Sequence, residues 1–159
     1  MTNLSKRTQA REYAFKFLYR LQLEEFSQAK AALTSGSQKE DEMSIAIEEF
    51  DTSYNEQDLE HPDNQITPDM KFFANKLIKN VLENEDSLKD TISALLLKRT
   101  INTLDKVDLS ILLLGACELT QVEETPRTVV INEAINLAKK YGTKDSSSFV
   151  NGVLDKVNK

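Results

Sequence analysis

The densest chemistry in this chain lies near its start. Lys6, Arg7, Arg11, Lys16 and Arg20 put five cations within one helical length, opposed by Glu12 alone. Arg7 and Arg11 are one helical turn apart, and Phe15 and Tyr19 continue their line at the same spacing. Guanidinium groups pair bidentately with phosphate and stack on bases, and aromatic rings add stacking surface, so the face fits single-stranded RNA. The same residues equally describe a solvated helix whose arginines keep it soluble and whose Tyr19 is half-buried packing. Elsewhere the chemistry is thin. Asp105 and Asp108 form an i, i+3 pair that could join Glu118 in a carboxylate set, but a first-turn acid and ordinary surface acids explain them as well. The glycines at 36, 115, 142 and 152 are too scattered for a phosphate loop, and no HExxH, GxSxG or Cys/His pairing occurs. His61, before Pro62, is expected to face solvent, and the single Cys117 can build neither a disulfide framework nor a Cys-based metal site. The expectation is a binding protein and not an enzyme, with no catalytic residue, metal or cofactor.

The elements that must carry these groups read as helices throughout. Glycine and proline are scarce, at 4 and 3 in 159 residues, and β-branched alternation is absent. The first helix, about Ser5 to Leu23, buries a stripe of Ala10, Ala14, Phe17, Leu18 and Leu21, with Arg7 and Arg11 outside it. Thr67-Pro68-Asp69 opens the next, carrying Met70, Phe73, Ala74, Leu77, Ile78, Val81 and Leu82. Ser87 to Asp90 resembles a capping box for a helix running to about Arg99. Residues 103–119, TLDKVDLSILLLGACEL, are apolar on more than one face and predict a central post covered on several sides, with Thr103 as N-cap. Thr125-Pro126 opens a helix ending at Gly142, and a last one from Asp145 or Ser146 buries Phe149, Val150, Val153, Leu154 and Val157. Gly152 is expected at a close helix contact.

Charge divides the chain more sharply than its net of −6 suggests. Residues 1–23 carry a net +4, residues 24–69 a net −11 and the remainder +1. A basic pole beside an acidic segment points to a polyanionic partner. Within the acidic part, Ala29, Ala31, Ala32 and Leu33 allow a helical extension, and Met43, Ile45, Ile47 and Phe50 a short docked turn, but residues 37–66 read mainly as a mobile surface insertion with few apolar anchors. The expected organisation is one domain over 1–159: a basic helix and its extension (1–36), the insertion (37–66) and a helical bundle (67–159). The apolar run at 103–119 is too short and too charged for a membrane span, no export leader opens the chain, and a reducing cytoplasm is the expected home.

KRTQAREYAFKFLYRLQL at 6–23, TLDKVDLSILLLGACEL at 103–119 and TPRTVVINEAINLAKKYGTKDSSSFVNGVLDKV at 125–157 resemble the bacterial transcription antitermination factor family NusB, with a weaker match over 68–102. INEAINLAKKYG followed by FVNGVLDK is the most specific part. The resemblance implies an all-α fold of six to seven helices in two small packed bundles. It implies binding of the boxA element of nascent RNA together with NusE, the ribosomal small-subunit protein, and entry into an RNA polymerase antitermination complex. By matching positions, Lys6, Arg7 and Arg11 look like the RNA-binding segment, Asp145, Ser148 and Phe149 like a second RNA-facing strip, and Tyr19 and Asp105 like positions facing the protein partner. Asn132 and Asn151 belong to the signature and are as easily structural as ligating. Two other readings stand beside this one: a helical adaptor that binds only protein, and the NusB-like domain of a ribosomal RNA methyltransferase.

Overall fold

Asp105, and not Thr103, starts the helix around which the C-terminal half is built. In the computed structural model, which describes residues 3–22, 49–50 and 67–157, the Asp105 carboxylate accepts a hydrogen bond from the Val107 backbone N–H at 2.8 Å. Thr103 is engaged elsewhere: its hydroxyl accepts from the Thr100 N–H at 3.1 Å and donates to the Thr100 carbonyl at 3.0 Å, closing a 3-10 turn at Ile101–Thr103. An anionic N-cap is also well placed for the helix dipole.

The described residues form α-helices and this one 3-10 turn, with no strand among them. In chain order the helices are α1 (Asn3–Gln22), α2 (Pro68–Glu83), α3 (Glu85–Leu95), α4 (Lys106–Gln121), α5 (Arg127–Tyr141) and α6 (Ser146–Asp155). This is the all-α architecture expected from the sequence. The chain divides into two compact units, Met1–Ile78 and Lys79–Lys159, with the boundary inside α2. No helix among the described residues is long and apolar enough to cross a membrane.

In the first unit, α1 buries Ala10, Ala14, Phe17, Leu18 and Leu21 as its spacing requires, and also Arg11, Tyr13 and Phe15. Phe50 is buried as well, 8% exposed, with its ring edge-on to Tyr13 at 5.0 Å and to Phe17 at 5.3 Å. Of the few apolar anchors expected within 37–66, Phe50 is one that docks, because an aromatic of this size gains more from joining a ring cluster than from solvent. The rest of that segment, with Met43, Ile45, Ile47 and His61, lies outside the described residues, as do Ala29 to Leu33. Thr67 caps α2 as expected, its hydroxyl facing the Met70 N–H at 3.4 Å.

In the second unit every residue of α4 from Asp108 to Leu119 is buried, and α3, α5 and α6 all pack on it. The central post is thus as the hydrophobic pattern predicts. Two of its polar positions are satisfied within the helix: Ser110 donates to the Lys106 carbonyl at 2.7 Å and Thr120 to that of Ala116 at 2.8 Å. Three local expectations change. The capping box at Ser87–Asp90 does not form, because α3 already starts at Glu85 after Asn84, which hands its side-chain N–H to the Asn80 carbonyl at 2.8 Å. The same helix stops at Leu95 and not near Arg99. Gly152 is open, with nothing within 4 Å of a Cβ placed there, whereas Gly115 is the close contact: a Cβ would lie 2.8 Å from Leu154 Cδ1. Gly142 ends α5 with φ −91°, an ordinary value, and is required because a Cβ would sit 2.8 Å from the Ala138 carbonyl and 2.6 Å from Ser146 Cβ.

One fastening was not anticipated. Arg127, at the start of α5, donates to the carbonyls of Val157 at 2.6 Å, Asp155 at 2.6 Å and Leu154 at 3.0 Å. All three carbonyls lie at the end of α6, where a helix runs out of backbone donors, although that of Leu154 also accepts from the Val157 N–H at 3.1 Å; one guanidinium thus ties the start of α5 to the end of α6.

Candidate nucleic-acid interface

Each unit presents a guanidinium stacked on a ring. In the first, Arg7 and Arg11 lie one turn apart on α1 and both stand over Phe73 of α2, at 4.8 and 5.4 Å from the ring centroid. Arg7 is half-buried, but Arg11 is 2% exposed. The expectation that both lie off the buried face holds only for Arg7. Phe73 explains this: a ring can receive a cation, so a position that a purely apolar stripe would exclude becomes a core position. Lys6 is half-buried beside Arg7 in sequence, and Lys16 pairs with Glu12 at 3.7 Å.

The aromatics expected to continue the arginine line do not form an open platform. Phe15 is 2% exposed, and its ring stacks on half-buried Tyr19 at 6.2 Å with 24° between planes. Stacking surface for a base at Phe15 is thus already used within the protein.

In the second unit, Arg99 stands over Phe149 at 4.6 Å. Phe149 is half-buried, Ser148 and Asp145 are exposed, and all three lie at the start of α6, so the structure brings the sequence-matched strip together. Beside it is a groove of about 290 Å³ lined by Leu95, Leu96 and Val153 on its apolar side and by Lys98, Arg99 and Lys156. Leu97, 88% exposed, is on its rim. These cations were missed because they belong to no helical ladder: Lys98 and Arg99 follow the end of α3, and Lys156 follows α6. Only the tertiary fold puts them around one space.

The carboxylates do not assemble into an acid–base set. Asp105 is exposed and spent on its cap, while Asp108 is buried with its Oδ1 lacking a protein partner. Burial pushes the Asp108 carboxyl above its ordinary range; a hydrogen bond from Ser146 opposes that, Asp105 adds to it and Arg99 again opposes it. Cys117 is buried and its thiol is pushed up to about 12 by burial and by neighbouring Glu118, so it stays an inert thiol. Among the described residues no group of His, Cys, Asp and Glu is arranged to hold a metal ion.

With this geometry in hand, comparison with known proteins gives a consistent result. The model of the NusB family matches residues 8–159. The transcription antitermination protein NusB of Thermodesulfovibrio yellowstonii is 36% identical over 155 residues, covering 97% of this chain and 92% of that protein. The solved structure of T. maritima NusB superposes with a TM-score of 0.71 at 32% identity, covering 95% of this chain and 89% of that one. At 24% identity, and so for the fold alone, a NusB chain solved with NusE and double-stranded RNA gives 0.73, covering 99% and 97%. A family model spanning nearly all of the sequence, a relative matched over nearly its whole length and a matching all-helical structure agree that the chain belongs to the NusB family.

Proposed function

We propose that this protein is an RNA-binding transcription antitermination factor that takes the boxA element of a nascent transcript together with a NusE-type protein and joins the RNA polymerase elongation complex. The observation that carries the reading is family membership over residues 8–159, whose relatives bear the name transcription antitermination protein. A NusB chain of the same fold, solved with NusE and RNA, supports the choice of partners. The site of action is then the cytoplasm, and the working unit is the whole chain 1–159, with 1–36 and 67–159 flanking the acidic insertion 37–66.

Lys6 and Arg7 meet phosphate, and Arg11 acts from beneath, holding Phe73 and so fixing Arg7 above it. Asp145, Ser148 and Phe149 form the second RNA strip, and Tyr19 and Asp105 face the protein partner. The net −11 of residues 24–69 keeps RNA off other surfaces. Fluorescence anisotropy of a labelled boxA-like RNA with the NusE-type protein, titrated at several salt concentrations, tests the reading. Arg7→Ala is expected to flatten the plot of log K against log salt by up to about 0.7, the value for one lost single-strand phosphate contact. Equal affinity for boxA-like and scrambled RNA would sink the proposal.

A further inference from the structure

The five cations of α1 are not equally available to RNA. Lys6 and Arg7 lie near its start, and among the described residues no acid pairs with either. Farther along, Lys16 is paired with Glu12 at 3.7 Å and Arg20 stands over the Phe50 ring at 6.0 Å. That ring is firmly held, at 70° to the plane of Tyr13 and 83° to that of Phe17. Tyr13, Phe17 and Arg20 follow one another at i, i+4 and i+7, so Phe50 lies along one face of the second half of α1. In sequence it is the single apolar residue of Glu48-Glu49-Phe50-Asp51, and Glu49 is exposed. A seated ring with acids on both sides brings negative charge to this half of the helix.

Distance decides which cations feel that charge. Arg20 lies 13 residues beyond Arg7, about 20 Å along a helix that rises roughly 1.5 Å per residue. Charges in solvent are screened beyond about 8 Å at physiological salt, so acids beside Phe50 act on Arg20 and on Lys16 one turn before it, and not on Arg7. The division matters because phosphate binding to an open cationic helix ignores sequence, and what recognition needs is a high ratio of specific to non-specific affinity. We infer that Phe50 is a specificity-determining residue: its ring, seated against Tyr13, Phe17 and Arg20, fixes Glu48, Glu49 and Asp51 beside the second half of α1, so that RNA is admitted at Lys6 and Arg7 and refused at Lys16 and Arg20. The inference rests on the RNA-binding reading above and adds to it the contact that limits where on α1 the RNA can lie.

The test uses the full chain with the NusE-type protein, in anisotropy titrations of labelled boxA-like and scrambled single-stranded RNA at several salt concentrations, with a thermal melt of each variant. Combining Glu48→Gln, Glu49→Gln and Asp51→Asn keeps the ring and removes the acids. Affinity for scrambled RNA is then expected to rise about tenfold, and that for boxA-like RNA less than about twofold. The slope of log K against log salt for scrambled RNA should steepen by up to about 1.4, two phosphate contacts at roughly 0.7 each. Adding Arg20→Gln should take back about half of that steepening, which a merely structural role would not do. Phe50→Ala keeps the acids and loses the anchor, and is expected to relax discrimination in the same direction; where its melt shows unfolding, the triple variant decides. Wild-type affinities and slope in the triple variant, with Arg7→Ala still impaired, would overturn the inference and leave the proposed function standing. An equal rise for both RNAs, unaltered by Arg20→Gln, would make the acids a general repeller and overturn it as well. So would a folded Phe50→Ala with wild-type discrimination. Failure of the wild-type chain to prefer boxA-like RNA would remove both the inference and the reading beneath it.

Discussion

Arg11 on Phe73 and Arg99 on Phe149 are the same pairing in chemical terms, a guanidinium over a ring at 5.4 and 4.6 Å, but water reaches only one of them. Arg11 is 2% exposed within the first unit, whereas Arg99 is exposed at the rim of a groove in the second. A cation stripped of water depends on its partners, and removing its side chain loses packing as well as charge. A cation in solvent gains little from the same ring and remains available to a ligand. Environment, and not residue type, thus decides whether such a pair belongs to the core or stays open to solvent.

Substitution at the two arginines gives the largest contrast. Arg11→Ala is expected to cost about 2–4 kcal/mol in chemical denaturation, since a desolvated cation–π contact is worth about 2 and the cavity adds to it. Arg99→Ala should cost no more than about 1 kcal/mol. Equal losses would break the distinction. The glycines of α4 and α6 repeat it in backbone terms. Gly115→Ala forces a Cβ to within 2.8 Å of Leu154 Cδ1, and Leu154 is fully buried and cannot step aside, so a loss of about 1–3 kcal/mol is expected. Gly152→Ala meets open space and should gain up to about 1 kcal/mol in helix propensity. A lower melting temperature for Gly152→Ala would show that its neighbours are closer than they stand here.

The smallest expected effect concerns Asp108, near the second stack. Its carboxyl is raised mainly by burial, so the folded state binds its proton more readily than the unfolded chain does. Its contribution is therefore fully present below the ordinary carboxylate range and is lost as pH rises through the raised value. Asp108→Asn removes the buried charge and keeps an acceptor for the Ser146 hydroxyl. Its melting temperature should exceed wild type at neutral pH, with the difference vanishing in acid. A difference that persists unchanged across pH would mean that charge burial is not its cause.

The helices were legible where period and punctuation agree. Thr67-Pro68 opens α2, the run from Asp108 to Leu119 is buried throughout, and α6 starts at Ser146. Boundaries failed where two residues competed for one job, as when Thr103 turned to Thr100 and left the cap of α4 to Asp105. Of the candidate strip, Asp145, Ser148 and Phe149 were readable only through the family resemblance, and the structure places them together at one end of α6. Lys98, Arg99 and Lys156 were not, since they lie on two separate chain segments. Phe50 was legible only as part of a possible docked turn in an acidic stretch, and the structure docks its ring against Tyr13 and Phe17.

The sequence by itself determined the all-helical class, the multi-faced α4 and the basic pole, because hydrophobic period, capping residues and charge are local properties that a chain carries before it folds. The tertiary structure alone decided which arginine is buried, which glycine is crowded and which cations share a groove. Those depend on what another segment brings within a few ångströms: Phe73 for Arg11, Leu154 for Gly115 and Phe149 for Arg99. Desolvation and steric overlap fall off over that distance, so one-dimensional spacing carries no record of them.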